Sequence, residues 1–66
     1  MTPYQYLKAN SKLEVSEMAV RADSSYGYFE QIARGRRTPS IKKAKLFIHA
    51  SDGAMTLEEL IPAIAA

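Results

Sequence analysis

MAVRADSSYGYFEQIARGRRTPS, from Met18 to Ser40, is the stretch on which the fold turns. Val15, Met18, Ala19 and Ala22 fall at i, i+3, i+4 and i+7, the spacing of an amphipathic helix. Asp23 ends that helix, because Asp tolerates the left-handed backbone better than most residues with a side chain. Ser24 or Ser25 then caps a second helix, expected from about Ser25 to Arg34. Phe29 and Ile32 are its core residues, and Tyr28 sits at the edge. Gly27 lies in its first turns at a cost of about 1 kcal/mol relative to Ala. Gly35 supplies the stop. The stretch therefore reads as two short helices meeting at a tight turn, closed by the basic corner Arg34-Gly35-Arg36-Arg37.

Working outward, Thr2 is an N-cap with Pro3 at the first helical position, where a missing N–H costs nothing. Tyr6, Leu7 and Tyr4 are expected to face inward, and Asn10-Ser11 breaks this helix. Downstream, Thr38 and Pro39 read as a second cap-plus-proline pair, opening a fourth helix through about Ala50. Ile41, Ala44, Phe47 and Ile48 form its apolar stripe, and Lys42, Lys43 and Lys45 its wet side. Ser51-Asp52-Gly53 is a turn. Thr56 and Glu59 form a capping box that starts a fifth helix, stopped near Pro62. The expected fold is all-α, a compact five-helix domain. The alternative is α+β, with a β-hairpin turning at Asp52-Gly53, since Asp-Gly is a strong hairpin signal. The Thr-Pro entry and the capping box favour helices.

At 66 residues the chain reads as one domain, 1–66, too small for a large core. It has no cysteine, so neither disulfides nor thiolate metal sites staple it. With 47% apolar residues it is not a disordered chain. The N-terminus lacks an apolar run with a cleavage site, and no stretch approaches the roughly 20 residues that span a bilayer, so a cytoplasmic location is expected. The net charge of +2 says little, but its distribution says more. Six of the nine basic residues (Arg34, Arg36, Arg37, Lys42, Lys43, Lys45) share one window that contains no acid, which points to a polyanion. One histidine, His49, cannot make a metal site with scattered acids. No nucleophile triad, P-loop or metal signature is present, so an enzyme is not expected, nor a cofactor or small-molecule ligand.

These residues resemble the Cro/repressor (XRE-like) class of helix-turn-helix regulators. Typical members read L-A-x-x-A-G-V-S-x-x-Y-I-S-Q-I-E-R-G-R-R-x-P-S where this chain, without a gap, reads M-A-V-R-A-D-S-S-Y-G-Y-F-E-Q-I-A-R-G-R-R-T-P-S. The segment from Ile48 to Pro62 is similar to short phage Cro and YdaS-like proteins, in which G-x-V-T-x-x-E-L-R-P closes the domain. Asp23 stands where the family has its turn glycine, Ser24 where it buries an aliphatic residue, and Ile61 where an arginine precedes the closing proline. Gly27 and Glu30 occupy groove-facing places usually held by polar or basic residues.

The resemblance implies a lambda-repressor-like domain with its third helix in the major groove of DNA. Ser25, Tyr26, Gly27, Glu30 and Gln31 would then face base edges. Gln31 can pair bidentately with adenine, Glu30 can accept from cytosine N4, and Gly27 allows close backbone approach. Arg34, Arg36, Arg37, Ser40, Lys42 and Lys43 would hold phosphates, which positions the protein without reading sequence. The implied activity is a phage or prophage repressor binding a pseudo-palindromic operator in double-stranded DNA as a homodimer. Met55, Leu57, Ile61 and Ile64 are the candidate dimer surface, or else cover the core. A protein-interaction module on the same fold, antitoxin-like or an anti-repressor, is the alternative.

Overall fold

The structure, a computed structural model, describes residues 1–65, with side chains through Ala63. Six helical segments follow one another: α1 (Pro3–Ala9), α2 (Lys12–Arg21), α3 (Tyr26–Ala33), α4 (Ile41–Ala50), α5 (Leu57–Leu60) and the single turn α6 (Pro62–Ala65). No β-strand occurs among the described residues. The hairpin alternative fails because Ala44, Phe47 and Ala50, three residues apart, are all buried, which an alternating strand cannot achieve.

Helix starts are set by hydroxyl caps. Thr2, Ser11 and Thr56 each form a full capping box, with Gln5, Glu14 and Glu59 reaching back to the cap amide. Ser25 caps α3 by accepting from the Tyr28 amide. The expected start of α4 needs correction. Thr38 is not the cap and Pro39 is not helical; Ser40 accepts from the Lys43 amide at 3.1 Å, and the helix begins at Ile41. Pro39 is buried, so the chain runs non-helically past it before turning. Both pairs satisfy the same capping rules, and the burial of the proline decides between them. The fifth helix does stop just before Pro62, at Leu60, and Pro62 then opens a further turn, α6.

Two helix ends frame α3. Asp23 has φ +56°, with its own amide bonded to the Val20 carbonyl and the Ser24 amide to the Ala19 carbonyl at 2.8 Å. Gly35 has φ +75°, with its amide on Ile32 and the Arg36 amide on Gln31 at 2.8 Å. Both are the paired 6→1 and 5→2 closures of a Schellman motif.

The helices close around one apolar cluster. An aromatic chain runs through it: Tyr6 meets Phe29 edge-on at 5.9 Å, Phe29 meets Phe47 at 5.3 Å, and Phe47 stacks on Tyr28 at 6.2 Å. Val15, Met18, Ala19 and Ala22 are fully buried beside it, as their spacing predicts. Tyr4, by contrast, is exposed. So is Ile41, which falls roughly 120° from the centre of the Ala44–Phe47–Ala50 stripe at 100° per residue.

The expected dimer surface is largely interior. Met55 is 1% exposed and Ile61 7%, and both belong to the core. Leu57 is half-buried against the same cluster. The side chain of Ile64 lies outside the described residues. In so short a chain the segment after Gly53 is needed to close the bottom of the core. No helix among the described residues is long and apolar enough to cross a membrane.

Candidate nucleic-acid interface

The sharp turn at Asp23 and the Ser25 cap set the direction of α3. With Phe29 and Ile32 buried, the opposite side of α3 must face out. Gly27, Glu30, Gln31 and Arg34 lie at i, i+3, i+4 and i+7, which makes one stripe. Gly27, Gln31 and Arg34 are exposed and Glu30 is half-exposed. The Schellman closure at Gly35 then carries the chain directly into Arg36 and Arg37, both exposed. The stripe and the basic corner are therefore one continuous surface.

Charge on this surface is partly internal. Glu30 pairs with Arg34 one turn away at 3.6 Å, in the open, where such a pair contributes little to stability. Its consequence is directional: Arg34 is drawn along the stripe. Arg37 is ordered differently. Its guanidinium lies 5.2 Å from the centre of the Tyr28 ring, whose other neighbour is Phe47. At an exposed site a cation–π contact contributes about 0.5–1 kcal/mol, enough to favour one arginine orientation.

Tyr26 departs from the outward stripe. It is half-buried against the core, with the Lys12 ammonium 5.3 Å from its ring centre. Lys12 thus stands beside the start of α3, a cation that the sequence pattern did not single out because it lies 14 residues away. Ser25 is exposed but its hydroxyl oxygen already serves the Tyr28 amide.

The lysines of α4 divide. Lys42 is exposed. Lys43, expected to contact phosphate, instead turns its ammonium onto the end of α2, donating to the Asp23 carbonyl at 2.7 Å and the Ala22 carbonyl at 3.4 Å. A cation at a helix C-terminus gains from the helix dipole and satisfies orphan carbonyls. Lys43 therefore ties α4 to the turn that aims α3. Together with Val20, Asp23, Ser24, Ser25 and Tyr28 it lines an open groove beside that turn. Arg21 makes the matching tie at the far end of α4, donating to the Ala50 carbonyl at 3.0 Å.

No family model, no curated protein and no solved structure matches this chain. The reading of the surface therefore rests on its chemistry. His49 is exposed on α4, and no three His, Asp or Glu residues among those described converge to hold a metal ion.

Proposed function

We propose that the protein is a sequence-specific DNA-binding transcriptional regulator of the Cro-like repressor kind, with α2 and α3 as a helix-turn-helix and α3 seated in the major groove. The observation that supports this reading is the continuity of the α3 stripe with the basic corner. Gln31 supplies a bidentate donor–acceptor pair suited to adenine, and Glu30 an acceptor suited to cytosine N4. Arg34, Arg36, Arg37 and Lys42 supply phosphate contacts, with Ser40 at the start of α4. The body measures 33 × 19 × 18 Å. Such a module is small for specific binding alone, and two copies on half-sites roughly 34 Å apart would supply the missing interface. That homodimer forms on the operator. Repression follows from occlusion: a promoter covered by two such bodies is closed to polymerase.

Selection of bound sites from a random duplex pool tests this reading. The expected result is a palindromic motif with half-sites one helical turn apart. With about four cations on phosphates per copy, log affinity should fall against log salt with a slope of about −4 for each bound copy. Gln31→Ala should relax preference at one position of the half-site and cost about 1–3 kcal/mol there. A shallow salt dependence with no enriched motif would instead identify a protein-interaction module, and the regulator reading would be abandoned.

A further inference from the structure

Gly27 has no purpose inside the fold. It is helical and its φ is not positive, unlike those of Gly35 and Gly53. A Cβ built on it meets no atom within 4 Å beyond its two chain neighbours and its own helix backbone, so no residue packed from elsewhere needs the space. Yet glycine in a helix is less stable than alanine, in a domain whose size leaves a small margin. The reason for a glycine here must lie outside the chain.

Its surroundings keep the position bare. Tyr26 is turned back against the core, with Lys12 over its ring. Tyr28 is held between Phe47 and Arg37. Both flanking rings are thus engaged in contacts of their own. The result is an ordered notch of bare backbone on the outward stripe, one turn before Glu30 and Gln31.

We propose that Gly27 is a specificity-determining residue, the point where the α3 backbone lies directly against base-pair edges in the major groove. The inference rests on the DNA reading above. Its consequence is a helix that sits deeper than a side chain would permit, which brings Gln31 within bonding reach of its base. An added Cβ would hold the helix away from the base edges while leaving the arginine corner on the phosphates.

Gly27→Ala tests this, because the two effects have opposite signs. The variant should melt at a higher temperature than the wild-type protein. It should also bind the selected operator at least about tenfold more weakly, the loss of one good base contact. Affinity for random duplex, and the salt slope on it, should stay as in the wild type. Should Gly27→Ala bind the operator as tightly as wild type or tighter, the notch is merely tolerated and the proposal falls. Equal weakening on operator and random duplex would overturn it too. A wild-type protein that binds no duplex at all would remove the DNA reading itself, and this inference with it; that result is distinguishable because it needs no variant.

Discussion

At the scale of single residues, Phe29 and Asp23 show how few side chains hold so small a body. Phe29 is completely buried and touches both Tyr6 and Phe47 in the aromatic chain. Truncating a buried Phe costs about 3–5 kcal/mol, as much as a chain of this length is expected to have in reserve. Phe29→Ala should therefore abolish the cooperative thermal transition followed by circular dichroism. A retained sharp melt would show that the cluster does not depend on it. Asp23 was legible as a turn residue because its short side chain tolerates φ near +56°. What its neighbours do was not legible. The partner of its carbonyl, Lys43, lies 20 residues away, and only the packing of α4 against α2 brings the two together.

At the scale of elements, the helix starts carry a pH dependence. Glu14 is held below the ordinary glutamate value of 4.5 by the Ser11 amide it accepts from, helped by the Ser11 hydroxyl. Glu59 is held below it chiefly by the Thr56 amide and then by the α-amino group of Met1, 3.1 Å away. Both folded-state values are depressed, so the unfolded chain takes up protons first. The stabilisation is complete above about 4.5 and is lost as pH falls through the depressed values. The first capping box does the same work without charge, since Gln5 occupies the place of the glutamate. Glu14→Gln with Glu59→Gln should therefore keep the caps and flatten the fall in melting temperature between pH 5 and pH 3, roughly the window in which carboxylates titrate. An unchanged acid limb would place the sensitivity elsewhere.

Capping boxes are local, which explains why the one at Thr56 was readable in advance. The start of α4 was not, because Thr38-Pro39 and Ser40 offer equivalent local chemistry and burial of Pro39 chooses between them.

At the scale of the whole molecule, the exposed arginine corner follows directly on the α3 stripe, whose one acid, Glu30, is paired with Arg34, while Glu58 and Glu59 sit on α5. Under the proposed function, Arg36 is the corner's cleanest phosphate ligand, since among the described residues it has neither an acidic partner nor an aromatic one. Arg36→Ala should weaken binding to operator and random duplex alike and reduce the salt slope by about one. A change in preferred sequence with an unchanged slope would assign Arg36 to base reading. Lys43→Ala should leave the slope nearly intact while lowering the melting temperature, because its ammonium is already committed to the end of α2.

Periodicity and short-range capping were enough to read an all-helical chain, the burial of Val15, Met18, Ala19, Ala22, Phe29 and Ile32, and the outward placing of Gln31 and Arg34. Those features depend on residues within a turn or two of each other, where the helical repeat dictates geometry. The roles of Lys43, Lys12 and Arg37, and the burial of Met55 and Ile61, depend on partners far along the chain. Such contacts are settled only when the helices pack, because side chains of identical local pattern face solvent, core or a neighbouring carbonyl according to which element arrives beside them.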